Sequence, residues 1–412
     1  MKNIQSLRGM NDLLDLESEK YLYFTKIASK IAENYGFSYI ETPLLEETAL
    51  FKRSVGESSD IVGKEMYNFT DKGKNEVCLR PEGTAGVVRS FIQNKFDRKF
   101  EQLGEKQKFY YFGAMFRYER PQKGRLRLFH QFGAESFGES SYLEDASTIL
   151  MIRDILNSFE IPFKLKLNSL GCDACMPKYR ENLVNFLNSK KEHLCEDCHR
   201  RIETNPIRTL DCKIETCKNE LQDSPKITDN LCESCDSDFE NLKAILKDNN
   251  LDFEIDRDLV RGLDYYTQTA FEFVVDGIGA QNAIAGGGRY NKLVEYLGGK
   301  TTPAVGFAIG IERILDLIKL PEDESKGYYF GVLDSNKEYL KQIFNLASIK
   351  RSENQPVHIE FKKKSLKSHL KSASKMNFKY CAIIGENEFN SGTIWVKDLI
   401  GKFEDTQAID SF

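Results

Sequence analysis

Between Phe116 and Glu135 the chain reads FRYERPQKGRLRLFHQFGAE. Alternation around the turn residues Pro121 to Gly124 predicts a hairpin with Arg117 and Glu119 on one face, continued after the turn by Arg125, Arg127, Phe129, Gln131 and Glu135. Tyr118, Leu126, Leu128, Phe132 and Ala134 form the opposite, core-like side. Guanidinium forks match phosphate oxygens, carboxylate and amide oxygens accept from an ammonium or ring N–H, and an aromatic ring stacks on a base. A nucleotide phosphate joined to a cationic group satisfies all of these. A solvated sheet face with cross-strand ion pairs, each worth about 0.2–1 kcal/mol, is the competing reading.

Other segments carry parts for the same ligand. In LRPEGTAGVVRSFI (79–92), Glu82 stands before Gly83 and Thr84 at a helix start, where its carboxylate receives either an α-ammonium or the helix's own N–H groups. TPAVGFAIGIERILDLI (302–318) reads as a strand followed by a helix with Ile311, Ile314, Leu315 and Ile318 on one face. Arg313 falls in its first turn, against the macrodipole, which points to a nearby anion unless the residue merely covers apolar neighbours. LVRGLDYYTQTAFEFVV (259–275) and AIAGGGRYNKL (283–293) add Arg261, Tyr265, Tyr266 and Tyr290. The triple glycine at 286–288 is neither a dinucleotide fingerprint nor a P-loop and reads on its own as a glycine-rich turn.

A third group is made of thiols. Cys172, Cys175, Cys195, Cys198, Cys212, Cys217, Cys232 and Cys235 occur as CDAC, CEDC, CKIETC and CESC, three of them with knuckle spacing. One or two structural Zn²⁺ ions are the expectation, with free thiols on a helical insertion as the alternative; the spacing does not say which pairs share an ion. His193 and His199 read as surface residues rather than ligands.

These groups must be positioned by a chain of 412 residues, 41% hydrophobic and 29% charged, enough for two or three cored domains. Residues 1–167 and 251–320 mix amphipathic helices with alternating strands, as one α+β domain in two pieces, interrupted by the Cys-rich, mainly helical segment 168–250. After a charged linker, residues 327–412 read as a small α/β domain with strands over 328–333, 380–384 and 393–396. A net charge of −5 excludes a globally basic nucleic-acid binder. The tail nonetheless holds thirteen Lys and Arg against ten Asp and Glu, with seven lysines and no acid over 361–379. That run is either a solvated helix face or a phosphate-backbone contact. No apolar run approaches a membrane span and the start lacks a signal-peptide core, so a cytoplasmic protein with no membrane association and reduced thiols is expected.

The motifs taken together resemble the histidyl-tRNA synthetases. FRYERPQKGRLRLFHQFGAE is similar to motif 2 of the class II aminoacyl-tRNA synthetases, GFAIGIERIL to motif 3, and GFSYIETPLLEE, with Pro43, to the dimer-forming motif 1. LVRGLDYYTQTAFE and AGGGRY resemble the two histidyl signature segments. The resemblance implies the class II fold: an antiparallel sheet with flanking helices, the Cys-rich insertion and a C-terminal α/β anticodon-binding domain. It also implies a homodimer that joins histidine to tRNA(His) through a histidyl-adenylate, using ATP and Mg²⁺.

Residue by residue, the resemblance implies that Arg117, Arg261 and Arg313 hold phosphates during catalysis. ATP is further contacted by Glu119, Arg125 and Phe129. Histidine is received by Glu82, Gly83, Thr84 and Gln131, while Glu135, Tyr265, Tyr266 and Tyr290 surround its side chain. Gln122, Lys123 and Gly124 face the tRNA acceptor end, and the lysine-rich tail engages RNA. A regulatory relative that senses histidine and a noncatalytic RNA-binding module are the alternatives; amino-acid-dependent pyrophosphate exchange separates them from an enzyme.

Overall fold

The computed structural model describes residues 3–56, 59, 61–122, 124–212, 214–260, 263, 265–276, 282–321, 325, 327–401 and 403–412. They divide into two units, 1–319 and 320–412. In chain order the larger unit has strands β1 (Ser38–Tyr39), β2 (Leu45–Glu47), β3 (Tyr67–Thr70), β4 (Glu76–Leu79), β5 (Gln107–Phe116) and β6 (Leu128–Phe137). Then follow β7 (Lys164–Ser169), β8 (Glu254–Ile255), β9 (Thr267–Val274), β10 (Ala283–Arg289) and β11 (Ala304–Gly310).

Eight of these form one sheet in the order β1-β5-β6-β11-β10-β9-β7-β8. Its six central strands run antiparallel, and the two edge pairs are parallel. Side chains alternate across it as the pleat requires. Phe132, Ala134, Phe307, Ile309, Phe271 and Phe273 face a core completed by the helices Asp15–Asn34, Tyr142–Asn157 and Glu233–Asp248. The opposite side of β6, β11 and β10 carries Phe129, Gln131, Ala308, Gly310 and Gly286 and lines a cavity. The small side chains among them leave room above the sheet.

The triple glycine is interior strand and not a turn. Gly287 pairs with Phe307 on one side and Phe271 on the other, and a Cβ on it would lie 2.1 Å from the Gly306 carbonyl oxygen. Strands pressed this close tolerate no side chain, so a composition that looks like turn chemistry here reflects packing.

The hairpin of motif 2 also departs from its expected form. Regular pairing stops at Phe116 and Leu128, apart from one further bond from Arg117 N to Arg127 O at 3.0 Å, and the described residues beyond, 118–122 and 124–126, form a loop pinched by mutual Gln122 and Arg125 backbone bonds. The cause is competition for backbone groups. The N–H groups of Arg127 and Leu128 both donate to Gly9 O, and that of Tyr118 donates to Glu65 O. Tyr118, expected in the core, is 54% exposed with the Arg127 guanidinium 3.9 Å above its ring.

The Cys-rich segment is built of short helices, including Met176–Ser189, Glu196–Thr204 and Glu215–Glu220, around a small core of its own. Its last helix, Glu233–Asp248, contributes Cys235 to that core and Phe239, Leu242 and Leu246 to the core of the large sheet.

The second unit has a five-stranded sheet, ordered β13-β12-β14-β15-β16, from β12 (Tyr328–Val332), β13 (Val357–Ile359), β14 (Tyr380–Ile384), β15 (Thr393–Asp398) and β16 (Glu404–Ala408). Strands β13, β12 and β14 are parallel, and the remainder antiparallel. The short β13 and the charged, exposed edge β16 were not apparent from apolar alternation. In the helix Leu366–Lys375, capped by Ser365, His369 and Ala373 face inward while Lys367, Lys371 and Lys375 form an exposed stripe at i, i+4 and i+8.

Candidate active site

A cavity of about 180 Å³ opens above β6, β11, β10 and β9. Its lining includes Glu82 and Thr84, the loop residues Arg117, Glu119, Gly124 and Arg125, Phe129 and Gln131 of β6, Tyr265 and Tyr266, Glu272 of β9, and Glu312 and Arg313. Segments from four distant parts of the chain thus meet in one place. Arg261 and Lys123 lie outside the described residues.

The two described phosphate-holding candidates enter from different sides. Arg117 donates from Nε to Pro81 O at 2.9 Å and holds its guanidinium carbon 5.3 Å from the centre of the Phe129 ring. Arg313 donates to Gly124 O at 3.2 Å and to Ala283 O. The macrodipole argument for Arg313 does not hold: its helix is only Ile311–Leu315, so the expected run to Ile318 and the sizeable dipole are both missing. What aims the side chain is capture by two carbonyls across the cavity. Glu119 and Arg125 form an ion pair in its wall.

Glu82 is 3% exposed and its two oxygens accept from Thr84 N at 2.7 Å and Ala85 N at 2.9 Å, at the start of the helix Thr84–Gln93. The capping role and the cavity-lining position therefore coexist. Burial pushes its carboxyl upward, opposed by those N–H groups and by Arg117.

Glu135 and Tyr290 are fully buried and lie behind the lining rather than on it. Glu135 accepts from the hydroxyls of Thr84 at 2.6 Å, Tyr111 at 3.3 Å and Tyr290. Burial raises its carboxyl to about 8, with the three hydroxyls acting against the rise and Glu82 adding to it. Two glycines make this arrangement fit. A Cβ at Gly306 would fall 1.8 Å from Glu135 Oε2, and one at Gly83 would fall 2.1 Å from the Tyr111 ring. The Tyr265 ring makes a tilted contact with Tyr266 at 4.7 Å and an edge-on contact with Tyr290 at 5.6 Å between ring centres. Among the described residues, Gln131 Oε1 and the Tyr265 hydroxyl are buried polar atoms without a hydrogen-bond partner, both on residues lining the cavity. Such groups are costly unless a ligand meets them.

Sequence reasoning missed several contributors. Nothing in the sequence sets Tyr111 apart from the many other strand aromatics. Glu312 accepts from His130 N at 2.8 Å and contacts His130 Nδ1 at 2.7 Å, fastening the Arg313 helix to β6. Asp145 and Arg289 form a buried pair joined by the Thr269 hydroxyl, which anchors β9 and β10 to the helix Tyr142–Asn157. The only hints were a carboxylate beside Arg313 and an arginine directly after the glycine run.

Comparison with known proteins bears on the same residues. A family model described as histidyl-tRNA synthetase matches residues 9–314. A histidine–tRNA ligase of Sulfurimonas denitrificans is 62% identical over 403 residues, covering 98% of each chain. One of Nitratiruptor sp. is 59% identical over 409 residues, covering 99% of each. Among solved structures, the apo histidyl-tRNA synthetase of S. aureus superposes with a TM-score of 0.82 at 32% identity, over 99% of this chain and 98% of that one.

Proposed function

We propose, for a chain that belongs to the histidyl-tRNA synthetase family, a residue-level course for its reaction in the cavity above β6 and β11. The enzyme is a histidine–tRNA ligase, and it charges tRNA with histidine in protein synthesis. The family uses ATP and Mg²⁺. The assignments that follow are supported above all by one observation: acids suited to an ammonium, guanidinium groups suited to phosphate and a ring suited to a base line a single cavity.

Histidine enters with its α-ammonium at Glu82 and Gln131, with Gly83 and Thr84 forming the turn beneath it. Tyr265 and Tyr266 flank the imidazole, and Glu135 and Tyr290 close its far end. ATP arrives with its magnesium and lays its base against Phe129, which exchanges the Arg117 guanidinium for the purine; Glu119 and Arg125 border the adenine. Bound Mg²⁺ supplies neutralisation of phosphate charge, and Glu272 and Glu312 are the further cavity carboxylates with the oxygen donors it takes.

The histidine carboxylate oxygen then attacks the α-phosphorus, the bond to the bridging oxygen of the β-phosphate breaks, and pyrophosphate leaves. Arg117, Arg313 and Arg261 stabilise charge on the phosphoryl oxygens, so catalysis is positioning and electrostatics without a protein nucleophile. In the second step a terminal ribose hydroxyl of tRNA attacks the activated carbonyl, forming the ester and releasing AMP. Gln122, Lys123 and Gly124 meet the acceptor end in this reading. The lysine stripe of residues 327–412 binds phosphates of the tRNA, making that unit the anticodon-binding domain.

The proposal includes a homodimer and a cytoplasmic location. For the dimer, the support is an edge strand, β1, which carries the exposed Tyr39 and is followed by the exposed apolar residues Leu44 and Leu45. Among the described residues no helix is long and apolar enough to cross a membrane. The decisive experiment is pyrophosphate exchange into ATP with each amino acid in turn. Exchange that depends on histidine alone is expected, and its absence would refute the reading in favour of a histidine-sensing or RNA-binding relative.

A further inference from the structure

The eight cysteines of the insertion line no part of the cavity, yet the fold sorts them into two quartets that spacing alone left open. Cys172, Cys175, Cys232 and Cys235 form one, Cys195, Cys198, Cys212 and Cys217 the other, and within each all sulfur atoms lie within 4.8 Å of one another. Sulfur separations of 3.8 Å for Cys172–Cys175, 3.8 Å for Cys172–Cys232 and 3.9 Å for Cys195–Cys212 can be compared with a simple expectation. Four thiolates about 2.3 Å from a tetrahedral ion stand about 3.8 Å apart along each edge.

Local structure prepares these groups for an anionic state. Cys195 and Cys232 are the residues immediately before helices, with Cys198 and Cys235 one turn inside, so each pair presents both sulfurs at a helix start where thiolate charge is favoured. Two backbone N–H groups point at sulfur: Cys195 N donates to Cys217 Sγ at 3.2 Å and Cys232 N to Cys175 Sγ at 3.1 Å.

The packing also requires a cross-link. Of the twelve buried residues in the insertion's core, five are cysteines and one is aromatic. So small a core does not offset the ordering of its chain without a staple.

We propose that each quartet binds one Zn²⁺ through four thiolates, giving the chain two nested structural sites. The outer site clasps the insertion at its root, where the backbone bonds between Leu170, Gly171 and Gln268 extend the β7–β9 ladder up to the first cysteine. The inner site clasps its tip. Four soft ligands in tetrahedral array select zinc or a single iron, and no position is left for a substrate. The sites are therefore structural, and the proposal stands independently of the catalytic assignment.

The test is elemental analysis of full-length protein purified without chelator from zinc-supplemented medium. Two zinc ions per chain are expected, falling to one in Cys195→Ser/Cys212→Ser. Replacement of zinc by Co²⁺ should give the absorption bands of tetrahedral tetrathiolate cobalt in both proteins, at half intensity in the variant. Hydrogen exchange of the metal-stripped wild type should show lost protection within 176–231 while β5 and β6 stay protected. Zinc-free protein whose eight insertion thiols all titrate in the native state would overturn the proposal. So would iron as the resident metal, or one zinc per chain that disappears in the inner-quartet variant.

Discussion

Replacing Glu135 by Gln tests how the buried acid is held. The side chain is fully buried and its carboxyl is raised from 4.5 to about 8. Between those values the folded protein keeps a proton that the unfolded chain has released. Stability is therefore lost as pH rises through this interval and levels off above it. At about 1.4 kcal/mol per pH unit the interval corresponds to on the order of 5 kcal/mol, a ceiling that local relaxation and water entry reduce. Glutamine keeps the size and one acceptor oxygen for the Thr84 and Tyr111 hydroxyls, and its amide donates to the Tyr290 oxygen, so the packing beside Gly306 is retained. In urea midpoints measured at pH 6 and pH 9, the advantage of the variant over wild type should be the smaller at the lower pH, where less than half of the interval has been crossed. At the higher pH the variant should be the more stable protein. Glu82 is pushed in the same direction by burial and repels Glu135, so the comparison reads the coupled pair. Wild type and E135Q losing stability in parallel from pH 6 to pH 9 would refute the reasoning.

Arg117→Ala should lower histidine-dependent pyrophosphate exchange by on the order of 10²-fold or more with little change in melting, as expected for loss of a charge-stabilising donor; a loss smaller than roughly threefold would remove it from the phosphate site. Arg289→Met strands the buried Asp145 carboxylate without its cation and should destabilise the large unit by about 3–5 kcal/mol in urea, whereas the double change Arg289→Met/Asp145→Leu should recover much of it. In the second unit His369 is buried; it donates from Nε2 to Val332 O at 2.9 Å and accepts at Nδ1 from Tyr329 at 3.1 Å. Burial holds it below its usual 6.5, so the unfolded chain takes up a proton first and stability is lost as pH falls below about 6.5. His369→Gln should flatten that dependence in the hydrogen-exchange protection of β12 and β14, and an unchanged dependence would contradict it.

The cavity residues were legible because alternation gathers unlike chemistries on one face. Arg117, Phe129, Gln131 and Glu135 mix a cation, a ring and acceptors on the one face opposite the apolar side, a combination that a merely solvated face does not call for, and Arg313 follows a strand rich in small residues. What alternation could not reveal was the competition for backbone groups. Nothing near residue 127 announces that Gly9 O will take two of its local N–H donors, so the hairpin looked longer and Tyr118 looked internal. The triple glycine failed for the opposite reason, since turns and strands pressed together call for the same residue. Distance along the chain explains the cysteines too. Spacing shows that Cys172 and Cys175 act together, but only the fold brings Cys232 and Cys235 to them past an inner quartet.

Thr84 ties the cavity carboxyl Glu82 and the buried Glu135 behind it into one electrostatic unit: its N–H is bonded to Glu82 at 2.7 Å and its hydroxyl to Glu135 at 2.6 Å. Glu82 is held by backbone N–H groups, which can only donate and therefore favour the ionised form. Glu135 is held by hydroxyls, which donate or accept and therefore tolerate either form. Burial pushes both carboxyls upward, Glu135 to about 8, so the pair resists carrying two negative charges, a balance that an ammonium at Glu82 would change. A cation placed there relieves the repulsion that Glu82 exerts on Glu135 and draws the second carboxyl toward ionisation. An ionised Glu135 is the stronger acceptor for a ring N–H. Under the proposed assignment, binding of the α-ammonium and recognition of the imidazole are thus linked, and an amino acid with the ammonium but no ring N–H leaves a buried charge unmatched.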